Sequence, residues 1–305
     1  MLPRRHRTPL ISSLLLGVLA TATPRWAGAD EAPPGPPAPA PTRSSIRTWS
    51  LNDPTRYWAI RGYLEAGLIA PYSHIIQFGQ DGSRFDYVHE GSQNVAFPTL
   101  RVSAELELGK HHNIILLYQP IDVRTEAVLR RDVRVDKIDF ANGTPINLRY
   151  GFDFYRVSYL YDFYKDPRYE LAVGASVQLR DASITFTSID TQQRVVNTNL
   201  GVVPLIKVRG RYTFKNGFWL GLEADGIYAA GRIITGTVVN GFIGALYDIS
   251  ARAGFRPTGF LDIFFSLRFL GGGARGTERR PTPPSDGYTD NWIHTVAFTV
   301  GVGLR

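Results

Sequence analysis

The side chains with the most chemical potential in this 305-residue chain are charges that recur at every second position along otherwise apolar runs. Glu65, Glu105, Glu107, Asp162, Glu170, Glu223, Asp225, Asp248 and Asp262 supply nine acids; Arg61, Arg101, Arg156, Arg180, Lys207, Arg209, Arg211, Arg252 and Arg268 supply nine bases. A spacing of two, as in Glu105 and Glu107 or Glu223 and Asp225, puts successive charges on one face of a strand. Such a carboxylate pair could serve acid–base chemistry, but arginines opposite would keep both members ionised and remove the general acid. A selective ion path needs a ring of one sign. Equal numbers of both signs predict a paired network filling an enclosed space, with no catalytic residue in it.

The histidines come next. His74 and His89 stand in a polar stretch with Asp81, Asp86 and Glu90, from which an acid–histidine hydrolytic site or a surface metal site could be built. His111 and His112 fall at a predicted turn, and His294 shares the parity of Val296 on an apolar face. The run Gly271-Gly272-Gly273-Ala274-Arg275-Gly276 lacks the following helix that a phosphate cradle uses, so it reads as the end of a strand entering a loop. The chain has no cysteine, which excludes disulfides, thiolate metal sites and a lipid-bearing cysteine. No metal or cofactor is called for.

The elements that must position these charges are hairpins. In Ile206–Phe214 the residues Ile206, Val208, Gly210, Tyr212 and Phe214 alternate with Lys207, Arg209, Arg211 and Thr213. After Lys215-Asn216-Gly217, Phe218, Leu220, Leu222, Ala224 and Tyr228 oppose Gly221, Glu223 and Asp225, which is the signature of a β-hairpin with one apolar and one charged face. The same period predicts strands over 57–70, 97–108, 112–124, 147–164, 169–186, 242–256, 261–269 and 292–304. A bulge or edge irregularity is expected at Pro120, and a bulge where parity changes near Phe154 and Tyr155. Short connections at 109–111, 165–168, 215–217 and 257–259 alternate with long ones near 71–95, 125–146, 187–199, 231–241 and 277–291. Ten antiparallel strands follow, or eight or twelve if a long connection lacks or contains a hairpin.

The N-terminus bounds where such a chain works. Arg4, Arg5 and Arg7 precede an uncharged run from Thr8 to Pro24 and then Ala27-Gly28-Ala29, the pattern of a secretory leader cleaved after Ala29. The organisation is therefore 1–29 leader, 30–50 Pro-rich periplasmic tether and 51–305 barrel. Losing the leader leaves 30 basic against 27 acidic residues, so the formal charge of +7 gives no support to a nucleic-acid role. The longest uncharged stretch after it, Ile233 to Tyr247, spans 15 residues and is too short for a membrane helix.

Alternating strands, aromatic-rich turns and the amphipathic last strand resemble small bacterial outer-membrane β-barrel proteins over Tyr57–Leu304, although the chain ends in Leu304-Arg305 rather than an aromatic residue. The resemblance implies an all-β transmembrane antiparallel up-and-down barrel with the apolar face toward lipid and short turns in the periplasm. Trp58, Tyr161, Phe163, Tyr212, Phe214, Phe218, Phe255 and Trp292 are the expected membrane-girdle aromatics. Outer-membrane lipids, the barrel-assembly machinery and lipopolysaccharide phosphates facing Arg130, Arg131, Arg134, Arg279 and Arg280 are the expected partners of a monomer in the outer membrane. Omptin-like proteases and lipid A deacylases carry His with acidic or Ser partners near the rim, but no Asp-x-His or His-x-Ser pattern here matches them. The favoured function is a non-enzymatic envelope or surface role with a charge-filled lumen. The alternatives are a narrow pore or hydrophobic-ligand transporter, which requires an open lumen or a lateral gap where Gly and Pro interrupt the ladder, and a rim hydrolase, which requires His74, His89 and Asp86 to converge.

Overall fold

The computed structural model describes residues 57–190, 192–230, 240–278 and 285–305; the leader, its cleavage point, the tether, Arg279 and Arg280 lie outside them. Fourteen strands follow one another: β1 (Trp58–Phe78), β2 (Phe85–Asp86), β3 (Phe97–Leu108), β4 (His112–Gln119), β5 (Asp122–Val128), β6 (Val133–Val135), β7 (Ile138–Phe140), β8 (Pro145–Lys165), β9 (Tyr169–Ser188), β10 (Arg194–Thr213), β11 (Phe218–Ala230), β12 (Asn240–Thr258), β13 (Leu261–Thr277) and β14 (Tyr288–Leu304). Antiparallel pairing runs from β14 down to β8, then through β4 and β3 to β1, and β1 pairs again with β14. The sheet is closed. Because β4 and β5 share the edge of β8 end to end, and β2 adds only two pairs to β1, the barrel has ten staves. The hairpin β6–β7 forms a separate two-stranded sheet.

Short turns hold the ends together as the spacing predicts. Asp166 accepts the N–H groups of Arg168 and Tyr169, both at 2.7 Å, and Gly217 takes φ +86°, a conformation that only glycine adopts without strain. Pro120 splits the third stave into β4 and β5, since a proline has no N–H to give the ladder.

Three expectations are corrected. First, β1 continues to Phe78: a bulge between Pro71 and Ser73 moves the buried residues from Glu65 and Ile69 to His74, Ile76 and Phe78, which breaks the period and made 71–95 read as loop. Second, β8 has no bulge at Phe154 and Tyr155, because its pairing with β9 is unbroken from Ile146 to Asp162 and the register shift lies between Asp162 and Tyr164. Third, Gly271–Gly276 lies inside β13.

The second correction has a physical reason that organises the molecule. The buried face of β8 reads Ile146, Leu148, Tyr150, Phe152, Phe154, then Arg156, Ser158, Leu160 and Asp162. Its outer face reads Arg149, Gly151 and Asp153, then Tyr155, Val157, Tyr159 and Tyr161. Parity is constant; the polarity of both faces inverts. Along β8 the short-turn end is polar inside and apolar outside, whereas the long-loop end is apolar inside and polar outside, as in a soluble barrel.

Candidate functional site

Ion pairs link the inward-facing charges of the lower staves. Arg156, 1% exposed, reaches Asp225 and Asp248 at 2.8 Å each and donates to Gln178 Oε1 from Nε at 3.0 Å and Nη2 at 2.6 Å. Lys207 closes on Asp225 at 2.8 Å and on Glu223 at 2.5 Å, and Arg268 on Asp248 at 2.5 Å. Glu65 is shared by Arg101 at 3.0 Å and Arg252 at 2.9 Å. Nearer the turns, Arg209 bridges Glu105 at 2.9 Å and Glu170 at 2.7 Å, Arg61 contacts Glu105 and Glu107, and Lys165 joins Glu107 to Asp162. Arg211 lies 4.0 Å from the Trp219 ring centroid and 3.6 Å from Asp262, which Arg256 and Arg305 also hold.

Every carboxylate of the nine thus has a cation within 4 Å, and among the described residues no group of three or more His, Cys, Asp or Glu is arranged to hold a metal ion. Gln178, Ser176, Asn113, Lys165, Arg256 and Arg305 were not among the candidates. The first three sit at the same alternating positions as the charges, and a polar rather than a charged filter would have found them.

One candidate stands apart. Arg180 on β9 points inward above the network, and its recorded hydrogen bond is from Nη2 to Asn199 Oδ1, at 3.1 Å. It lies 5.9 Å from the Phe152 ring centroid, and no carboxylate pairs with it among the described residues. The row of Phe154 and Arg156 is where the ion pairs give way to a chamber of about 760 Å³. Its walls include Ile69, Ile121, Phe152, Ile184 and Leu246.

Above, the β6–β7 hairpin covers the chamber. Its own side chains Val133, Val135 and Phe140 are buried; Asp136 N donates to Phe78 O at 3.0 Å, and Ser285 Oγ bonds Asp136 Oδ1 at 2.9 Å. Burial pushes the Asp136 carboxyl above its usual range despite that bond.

On one side the ladder of the wall is incomplete among the described residues. β10 pairs with β9 from Arg194 to Tyr212, yet with β11 only from Ile206 to Thr213. Among the described residues, the edge of β10 from 194 to 205 has no ladder partner on the β11 side, while β11 leaves it to pair Ile227–Ala230 with β12. The parting begins two residues from Pro204, which supplies no N–H, and at Gly226, which has no side chain to pack across the gap. The chamber reaches both faces of this free edge: Asn197, Asn199, Gly201 and Val203 from inside, Val196, Leu200 and Val202 from outside. The lips are bare, with Leu200 70%, Ile206 67% and Tyr228 70% exposed.

At the rim, Asp86 accepts from Val88 N at 2.9 Å and His89 N at 3.1 Å and pairs with His89 Nδ1 at 2.8 Å. Burial opposes its charge, but the His89 bond and the two N–H groups hold its carboxyl below the usual aspartate range. His74 is elsewhere, buried between Tyr87 and Tyr150 at ring separations of 4.4 and 4.3 Å, with Nδ1 on Gln93 Oε1. Two of the three rim candidates meet and the third does not. Arg131 is held by Glu90 at 2.9 Å and Arg134 by Asp139 at 2.6 Å.

Of the expected girdle residues, Trp58, Tyr161, Phe163, Phe214, Phe218 and Phe255 are exposed on the outer face, with Tyr212 and Trp292 partly covered. His294 lies outward beside Tyr247, its Nδ1 at 2.8 Å from the Tyr247 hydroxyl, over the space left by Gly271.

A closed ten-stave antiparallel barrel with an apolar outer belt and short turns at one end is the fold of the bacterial outer-membrane β-barrel proteins. Among solved structures it is similar to the outer membrane protease OmpT from Escherichia coli, with a TM-score of 0.51 at 10% identity over 80% of this chain and 96% of that one. Similarity to Ail, the attachment invasion locus protein of Yersinia pestis (TM-score 0.32, 8% identity, 80% and 97% covered), and to the Pseudomonas putida toluene transporter TodX (TM-score 0.31, 6% identity, 81% and 90% covered) is weaker and carries no argument. At these identities the likeness is one of fold alone. No protein-family model and no curated protein matches the chain.

Proposed function

We propose that the protein sits in the outer membrane, surrounded by its lipids, and takes small hydrophobic molecules sideways into the upper chamber through the gap between β10 and β11. The observation that carries this reading is the edge of β10 at residues 194–205, which has no ladder partner on the β11 side among the described residues, with the chamber directly behind it. A sheet edge whose backbone groups face no strand is costly to leave in a barrel wall, so its presence beside an apolar space argues for use. The ion-paired lower lumen makes an axial aqueous path the poorer reading, since about sixteen strands are needed for a wide channel.

This reading takes up the hydrophobic-ligand transporter that the sequence offers as an alternative, in place of the envelope or surface role it favours. Surface recognition of lipopolysaccharide phosphates by Arg131 and Arg134 draws no support, because both are engaged by acids of the same loops. A rim hydrolase draws none from His89, whose partner Asp86 is spent on capping its own turn.

The test uses the absence of native cysteine. In P204C/Y228C, a short bis-thiosulfonate bridge across the lips should slow uptake of the neutral dye N-phenyl-1-naphthylamine by the membrane-embedded protein several-fold, and reduction should restore it. Uptake indifferent to the bridge, or a steady ion conductance in a planar bilayer, would overturn the reading.

A further inference from the structure

Arg180 is the one inward base of the nine for which no ion pair is recorded among the described residues. Its Nε has no hydrogen-bond partner. A guanidinium offers five N–H donors in a planar fork, and this one spends a single bond on the neutral Asn199.

Its setting keeps the fork available. Arg180 stands directly opposite Gly201 in the β9–β10 register, and a Cβ at that glycine would meet Arg180 Nε and Nη2 at 3.5 Å. The side chain therefore lies across β10 at a point where no side chain shields it, on the part of β10 that lacks a β11 partner. Phe152 lies under the group at 5.9 Å, in the geometry by which an aromatic face steadies a cation. Arg180, Phe152, Asn199 and Gly201 all line the chamber.

An unpaired cation beside an apolar cavity is expensive unless something of opposite charge visits it. From this geometry we infer that the ligand is an amphipathic monoanion, whose carboxylate head takes the Arg180 fork at the mouth while its apolar body occupies the chamber. One guanidinium suits one carboxylate bidentately. A chamber of about 760 Å³ also lies in the size range that holds a small amphiphile. Asp136 and Glu278 also line the chamber. Asp136 belongs to the covering hairpin and is tied to Ser285, so the head is directed to the mouth rather than to the cover.

This inference rests on the lateral-uptake reading, and the test separates the two. Full-length protein in lipid nanodiscs is titrated with the fluorescent cis-parinaric acid and with its neutral methyl ester, as wild type, R180Q and R180K. The acid should bind R180Q about 10-fold more weakly, the ~1.4 kcal/mol of a charge-assisted hydrogen bond, with part of the loss recovered in R180K. Ester binding should be unchanged in all three, which also certifies that R180Q is folded. Equal acid affinity in wild type and R180Q, or a parallel loss for acid and ester, overturns the anionic-head assignment and leaves lateral uptake standing. Failure of both probes to bind wild type overturns both.

Discussion

Replacing Arg156 by methionine tests the ion-paired lumen at its most connected point. The guanidinium is 1% exposed and contacts Asp225 and Asp248 at 2.8 Å each, so the substitution strands two carboxylates away from water. Removing one partner of a buried pair costs roughly 3–5 kcal/mol. Here neither carboxylate is left bare, because Lys207 remains on Asp225 at 2.8 Å and Arg268 on Asp248 at 2.5 Å. The expected loss is therefore near the lower limit, about 3 kcal/mol, and Gln178 loses its partner as well. Adding Asp225→Asn restores charge balance and should recover about 1 kcal/mol or more. Reversible urea unfolding of the barrel in lipid vesicles, followed by tryptophan fluorescence, gives both numbers. A single variant within about 0.5 kcal/mol of wild type, the range of an ordinary surface change, would refute the claim that these charges form a tight filling.

Two further outcomes follow from the upper half. Gly272 has φ +149°, and a Cβ there would fall 2.3 Å from Ala245 O, so Gly272→Ala should cost about 1–3 kcal/mol in the same unfolding assay and loosen amide protection along β12 and β13. Asp86, in β2 and beyond the apolar belt, has a lowered carboxyl pKa, so its caps are fully present above the unfolded-state value and are lost as pH falls through the folded one. Hydrogen-exchange protection of the Val88 and His89 amides should drop on acidification through that range and be low at all pH values in Asp86→Ala, which removes the acceptor.

How much of this was legible depended on whether one periodicity ran the length of a strand. β3 is legible to the residue because Arg101, Glu105 and Glu107 alternate with Val102, Leu106 and Leu108 along its whole length. β8 defeated the same rule: Tyr150, Phe152 and Phe154 share a face with Arg156, and the eye takes the change of chemistry for a change of parity. The upper part of β10 has the pattern of a loop because Asn197 and Asn199 point inward and Thr198 outward, so neither face is consistently apolar. Single charges on strands could be assigned to the lumen, but their pairing could not, since Arg252 meets Glu65 across 187 residues of sequence. Arg180 shared the parity of Gln178 and was grouped with the network; only the height at which the lumen turns apolar separates it.

The inversion between Phe154 and Arg156 also fixes a draught. Outside the barrel, Asp153 faces Asp181 in register, one step above the Tyr155 and Leu179 pair, so a waterline is written on the outer wall. In a bilayer, sinking the barrel by one row of the outer face, two residues or about 6.6 Å along the strand, would wet nothing and drown two acids, while raising it by as much would strand Tyr155 and Leu179 in water. The chain therefore floats at one depth.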